Sequence, residues 1–222
     1  VDLGSYVEAA RQAVADQVDL PAGYSINWSG QYEYMERARE HLAVVIPITV
    51  FTIMLLLFLN FRNLIEVLII LGTLPMALVG GLWLLYLLDY NLSVAVGVGF
   101  IALAGVAVEI GVVMLVYLKQ AMKNSLSVAE QADRPLQRED IERAVYEGAL
   151  MRVRPIMMTV AAIIAGLLPI MLGGGTGSEV MRRIAAPMVG GMISATILTL
   201  AVIPAIFLVW QNLKLKRAKS EW

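Results

Sequence analysis

The sequence has no cysteine and only one histidine in 222 residues. Without thiols it can form neither a disulfide nor a thiolate zinc site, and one histidine excludes a histidine-rich metal cage. Charged residues make up 16% and the net charge is −1, so nothing in the composition indicates nucleic-acid binding. The sequence also lacks the HExxH and GxSxG motifs of hydrolytic enzymes. These shortages predict a protein that is not an enzyme and has no cofactor.

Hydrophobic residues are abundant instead: they make up 59% of the chain, and the mean hydropathy is +0.74. An average soluble domain is about 45–50% apolar. A helix that crosses a bilayer needs about 20 predominantly apolar residues. Five stretches meet this condition, and we predict membrane spans at residues 42–61, 64–88, 92–118, 155–172 and 184–213. The fold class that follows is mainly α, a polytopic helical bundle in a membrane.

Lysine and arginine are distributed unevenly between the two sides that five spans define. Five of them fall on the side of the N-terminus and twelve on the other side. Because cytoplasmic loops carry the excess of these residues, the second side is predicted to be cytoplasmic. Residues 1–40 then lie outside, while the loop 119–154 and the tail 214–222 lie inside.

The segment outside the membrane is predicted to be a small α+β piece of a soluble domain. Apolar residues between Leu3 and Val18 recur at helical spacing, and Tyr24, Ile26 and Trp28 alternate with polar residues as in a strand. One helix and one strand cannot build a core alone. Since the chain also begins with Val1 rather than methionine, we expect it to be processed or part of a longer protein.

A short amphipathic helix is predicted within the inner loop. Glu139 and Asp140 precede apolar residues at helical spacing, and acidic residues favour the beginning of a helix. The predicted organisation is therefore a helix–strand–helix segment over 1–40, a membrane region over 41–213 and a short tail.

Glu109 is the strongest candidate for a functional residue. It lies in the middle of the third apolar run, where an ionised side chain costs about 2.5–3.5 kcal/mol on insertion scales. Such residues usually face other helices and often carry protons, although a structural hydrogen-bonded carboxyl is the alternative. Ala102 and Gly105 share its helix face, and Ala107 and Gly111 form a small-xxx-small pair, so we expect close helix packing around it.

Methionine is the other residue type that suggests chemistry, with twelve copies. Thioethers are soft ligands that suit Cu(I), but methionine is also a good apolar packing residue. Met181, Met188 and Met192 follow one helical stripe. Met181 is the candidate metal ligand, with packing as the alternative.

Five segments of the sequence have a pattern in common with one family of membrane proteins. They are LPAGYSINWSGQYEYMERA, LPMALVGGLWLLY, LSVAVGVGFIALAGVAVEIGVVMLVYL, RVRPIMMTVAAIIAGLLPIM and GSEVMRRIAAPMVGGMI. They resemble the C-terminal end of heavy-metal efflux pumps of the resistance-nodulation-division (RND) class, and in particular the copper/silver type. The resemblance runs over nearly the whole chain.

This resemblance implies the last five spans of a pump and, before them, a partial periplasmic porter subdomain. It implies a proton-driven homotrimer in the inner membrane of a Gram-negative bacterium, surrounded by lipid. Such a pump exports Cu(I) or Ag(I) through a periplasmic adaptor and an outer-membrane channel. By resemblance, Glu109 belongs to a proton relay and Met181 to a metal path. The divalent-cation pumps usually lack the acid at this position, which favours copper or silver.

One position departs from the pattern of the copper pumps, which commonly carry lysine directly after RVRP. Here that position is Ile156. Either the relay runs without the lysine, or this subgroup differs in mechanism or metal. For the chain as a whole, two alternatives stay open: a divalent-metal or drug pump of the same class, and a truncated membrane paralogue that does not transport.

Overall fold

The computed structural model describes residues 3–19, 21 and 23–220 of the chain. The described residues form six helices: α1 (Leu3–Gln17), α2 (Gln31–Phe61), α3 (Leu64–Leu87), α4 (Val94–Gln131), α5 (Arg138–Leu172) and α6 (Ser178–Ser220). Helices α2 to α6 are long and apolar enough to cross a membrane, which confirms the prediction of five such helices. The chain divides into two compact units, residues 1–60 and 61–222.

The predicted strand around Ile26 is not present, and no residue of the described part forms a strand. Residues 24–29 are non-helical, and the side chain of Tyr24 is 73% exposed. A strand is stable only when its backbone groups pair with a neighbour, and no described segment offers one. The α+β prediction for the N-terminal segment is therefore wrong for the described residues, which are helical or irregular there.

The segment between the third and fourth spans is more regular than predicted. Helix α4 continues through Gln131, and the predicted amphipathic helix is the first part of α5 instead of a separate element. Asp140 stabilises the beginning of α5, because its carboxylate accepts a hydrogen bond from the backbone N–H of Gln137 at 3.0 Å. Arg134 donates two bonds to the same carboxylate, at 2.6 and 2.9 Å. A short turn between two long helices thus replaces the expected loop.

Glycines bring α6 very close to α3 and α4 in the second unit. A Cβ added at Gly190 would lie 2.5 Å from the carbonyl oxygen of Gly80, closer than real Cβ atoms approach any backbone atom. A Cβ at Gly81 would lie 2.9 Å from the carbonyl oxygen of Pro187. Small residues permit such contacts between membrane helices. A core of small side chains, Ala77, Ala107 and Ala195, joins the three helices.

Candidate functional site

Helix α4 has a buried face and an exposed face within its membrane-spanning part. The buried face consists of Val96, Gly99, Leu103, Ala107, Ile110, Gly111, Met114, Leu115 and Leu118. The exposed face includes Val98, Ala102, Gly105, Glu109 and Val116. At about 100° per residue, these two sets lie on opposite sides of the helix. Glu109 is therefore presented on the surface of this chain, away from the contact with α3 and α6.

The four small residues predicted near Glu109 divide between these two faces. Ala107 packs against Ala77 and Ala195, and a Cβ at Gly111 would lie 3.6 Å from Ile203. Ala102 and Gly105 lie on the exposed face, and nothing is within 4 Å of a Cβ added at Gly105. Only Ala102 and Gly105 therefore share a surface with the carboxyl.

The exposed face of α4 combines a carboxyl with small residues, and such a surface is suited to contact another helix. None of the hydrogen bonds or ion pairs between described residues involves Glu109. A carboxyl at this depth is unfavourable in lipid and is expected to meet a polar partner or an aqueous path. Ala102 and Gly105 leave room for a neighbouring backbone to approach. The arrangement presents an ionisable carboxyl on the exposed face of α4, outside this chain's own core.

Met181 lies near the beginning of α6 and is 50% exposed. It lines a surface cavity of about 380 Å³ together with the glycine-rich loop 173–177. The guanidinium of Arg182 donates a hydrogen bond to the carbonyl of Gly173, which ties this loop to α6. The other two methionines of the stripe differ, since Met188 is half-buried and Met192 is fully buried in the core. The structure therefore leaves Met181 accessible and gives Met192 a packing role.

The described residues contain no group of three or more His, Asp or Glu side chains that could hold a metal ion. Hard or borderline cations need such oxygen and nitrogen ligands. A thioether such as that of Met181 instead suits a soft cation.

Sequence reasoning missed one ion pair between a buried carboxylate and a partly exposed ammonium, at the other end of the membrane region. Lys119 Nζ lies 2.7 Å from Glu66 Oε2, and the two residues are far apart in the sequence. Their positions in the sequence could have indicated the pair, because each residue lies at an end of an apolar run on the predicted cytoplasmic side. Ile156 is 4% exposed and belongs to the core.

Comparison with known proteins places nearly all of the chain in one family. The model of the AcrB/AcrD/AcrF family matches residues 1–211. The cation efflux system protein CusA of Escherichia coli K12 is 50% identical over 210 residues, which cover 94% of this chain and 20% of CusA. The putative cation efflux system protein SilA of Salmonella typhimurium has the same identity and coverage.

A more distant relative and a solved structure agree with this assignment. The cobalt-zinc-cadmium resistance protein CzcA of Cupriavidus metallidurans is 37% identical over 206 residues, covering 93% of this chain and 18% of CzcA. A crystal structure of a heavy metal efflux pump superimposes with a TM-score of 0.77 at 35% identity, covering 95% of this chain and 20% of that one. The chain spans about a fifth of the length of these relatives.

Proposed function

Because this chain belongs to the AcrB/AcrD/AcrF family, we propose that it forms part of a proton-driven pump that exports Cu(I) or Ag(I). The 50% identity to two cation efflux proteins supports cation export as the activity. The accessible thioether of Met181 supports a soft monovalent cation as the substrate, and the described residues offer no oxygen-rich cluster for a hard one.

The position of Glu109 is the observation that carries the proposal. It is a carboxyl in the middle of a membrane-spanning helix, and it lies on the exposed face beside Ala102 and Gly105. Export of a cation against its gradient needs a coupled energy source. A carboxyl that alternately binds and releases protons can couple export to the proton gradient. In this proposal Glu109 is the relay residue, and its partner is an ionisable side chain from the remaining part of the pump.

The test is Glu109→Gln in the full-length pump. Glutamine keeps the size and hydrogen-bonding capacity of the side chain but cannot release a proton. We expect normal expression and assembly, together with loss of metal resistance in cells and of metal-driven proton flux in proteoliposomes. Glu130→Gln is the matched control, because Glu130 is an exposed carboxyl on the same helix outside the apolar segment. Proton flux at the wild-type level in Glu109→Gln would refute the relay role.

The same proposal includes the location and assembly of the pump. It is a homotrimer in the inner membrane of a Gram-negative bacterium, with residues 1–40 in the periplasm and the C-terminus in the cytoplasm. It delivers metal to a periplasmic adaptor and an outer-membrane channel. The excess of lysine and arginine on one side supports this orientation.

A divalent-metal pump of the same family is the second candidate, and Ile156 is the observation in its favour. The buried Ile156 leaves the relay without the lysine that the copper pumps commonly carry. Cells that express the full-length pump distinguish the two substrates. Tolerance to copper and silver supports the first candidate, and tolerance to cobalt, zinc or cadmium alone supports the second.

A further inference from the structure

Arg152 of α5 carries a cationic side chain without an anionic partner at the edge of the membrane region. The residue is half-buried, and its Nε is buried without a hydrogen-bond partner among the described residues. None of the ion pairs between described residues includes it either. A partly desolvated guanidinium without an anion is unfavourable, so this side chain indicates an anionic partner outside the described chain.

Close packing of α5 on α4 holds Arg152 in this position. A Cβ added at Gly148 would lie 3.1 Å from Cβ of Ala121 and 3.2 Å from Cα of Leu118, which is tighter than most Cβ contacts. Arg152 follows Gly148 by about one helical turn. Its Cζ lies 4.6 Å from the centroid of the Tyr117 ring. The ring attracts the positive charge, but it leaves the N–H groups of the guanidinium without conventional acceptors.

Tyr117 also lines a surface groove of about 490 Å³ between α4 and α5. The lining of this groove changes along its length. Tyr117 and Met151 form the end next to the membrane-spanning segments, whereas Gln120 and Asn124 bring amide groups about one and two helical turns further out. The charged side chains of the lining balance each other, since they are Arg134, Arg143, Asp140 and Glu147. Arg152 therefore remains as an uncompensated positive charge beside the groove.

We propose that this site binds the headgroup of an anionic phospholipid, with the lipid phosphate at the guanidinium of Arg152. Arginine forms charge-assisted and often bidentate hydrogen bonds with phosphate. The acyl chains lie along the exposed apolar side chains on either side of Arg152, since Met151 is 65% and Val153 36% exposed. The amide groups of Gln120 and Asn124 hydrogen-bond with the hydroxyl groups of the headgroup in the groove. The order of apolar, cationic and polar groups thus matches that of the lipid.

The depth of the site favours a lipid over a soluble anion or an acidic side chain from the remaining part of the pump. Arg152 lies just before the apolar run at 155–172, at the level where a membrane has its phosphate groups. Lys119 and Lys214 occupy the same ends of α4 and α6, and their Nζ atoms lie 5.3 and 5.8 Å from aromatic ring centroids. Cations at this level are attracted by anionic lipids of the cytoplasmic leaflet. The choice of leaflet rests on the proposed orientation, whereas the site itself does not depend on the transported cation.

Native mass spectrometry of the full-length pump, stripped of lipid in detergent and titrated with dioleoylphosphatidylglycerol, tests the site. We expect one tightly bound lipid per subunit in the wild type and about tenfold weaker binding of that lipid in Arg152→Gln, because its charge-assisted hydrogen bonds are lost. Arg154→Gln is the matched control, since it removes the same charge from an exposed side chain two residues away and leaves this binding unchanged. Equal weakening in both variants would overturn the proposal in favour of general surface attraction. Displacement of the lipid by millimolar inorganic phosphate would also overturn it, because the site would then take the free anion.

Thermal unfolding separates a lipid site from an ion pair within the pump. Phosphatidylglycerol should raise the thermal midpoint of the wild type, since a ligand that binds the native state stabilises it, and this rise should disappear in Arg152→Gln. If Arg152 instead pairs with an acid from the remaining part of the pump, Arg152→Gln lowers the midpoint of the lipid-free protein and the rise persists, which would overturn the proposal. Arg152→Lys keeps the positive charge without the planar guanidinium and should bind the lipid more tightly than Arg152→Gln. Failure of lysine to restore any binding would likewise count against a phosphate site.

Discussion

Glu66 and Lys119 join the first turn of α3 to the end of the apolar segment of α4 through an ion pair of 2.7 Å. The side chain of Glu66 is 5% exposed and that of Lys119 is 39% exposed. Asn63 donates a hydrogen bond to the other carboxylate oxygen at 3.4 Å, and the ammonium lies 5.3 Å from the centroid of the Phe61 ring. The buried carboxylate is therefore compensated by groups from two helices, and it fixes α3 and α4 relative to each other at the membrane boundary.

Glu66→Gln is expected to destabilise the chain by about 1–3 kcal/mol, because it removes the charge that compensates Lys119. The free energy of unfolding, measured by chemical denaturation in detergent, provides the test. Glu142→Gln is the control, since Glu142 forms an exposed pair with Arg138 at 2.8 Å. Exposed pairs contribute about 0–1 kcal/mol. Equal effects of the two substitutions would show that burial of the Glu66 carboxylate gives this pair no added importance.

Gly190→Ala is expected to disrupt the packing of α6 on α3. The new methyl group would collide with the carbonyl of Gly80, and overpacking of this kind costs about 1–3 kcal/mol. The control is Gly72→Ala in α3, where nothing lies within 4 Å of the added Cβ. Alanine should be neutral or stabilising there because of its higher helix propensity. The thermal midpoints of both variants measure the difference, and a Gly190→Ala protein as stable as the wild type contradicts the close contact.

Met181→Ile in the full-length pump is expected to lower copper and silver tolerance while the amount of protein in the membrane stays constant. Isoleucine keeps the apolar character but removes the soft sulfur ligand. Met158→Ile is the control, because Met158 is an exposed methionine on α5 away from the glycine-rich loop. If both variants retain full tolerance, Met181 has only a packing role.

The proposed topology predicts opposite accessibility of two exposed positions, Asn27 and Gln137. Since the chain has no cysteine, a single cysteine at either position is the only thiol that a reagent can label. A membrane-impermeant maleimide added to spheroplasts should modify the cysteine at position 27 and leave the one at position 137 unmodified until the cells are lysed. Modification of both in intact spheroplasts would contradict an odd number of spans between them and the proposed orientation.

The length of the hydrophobic runs was sufficient to predict the five long helices. A helix that crosses a bilayer needs about 20 apolar residues in a row, and this can be recognised within each segment alone. The resemblance to RND pumps is confirmed by the family match. The strand around Ile26 was wrong, because alternation of side chains does not supply the partner on which a strand depends. We predicted the beginning of α5 as a separate short helix, because charged residues interrupt the apolar pattern before the span. In the structure no residue there breaks the helix, and α5 is continuous.

The pair of Glu66 and Lys119 shows the other limit of sequence reasoning. Glu66 lies in the first turn of its helix, where the helix dipole stabilises a carboxylate. Its presence there needed no further explanation from the sequence. Its burial follows only from the packing of α3 against α4, which periodicity within one helix does not reveal. The small residues near Glu109 predicted close helix packing around it, but they occur on both faces of α4, and Glu109 lies on the exposed face.

Because α4 has a buried face and an exposed face, the number of residues between two of its positions determines whether they lie on the same face. Gly99 contacts α6 on the buried side, and Glu109 points outward ten residues later. Insertion or deletion of one residue between them would rotate the carboxyl by about 100° relative to Gly99 and turn it towards neighbouring helices of its own chain. Substitutions along this segment change local fit, whereas a single codon gained or lost would move the Glu109 carboxyl off the exposed face of α4. The spacing between Gly99 and Glu109 is therefore a geometric constraint on how the gene can change.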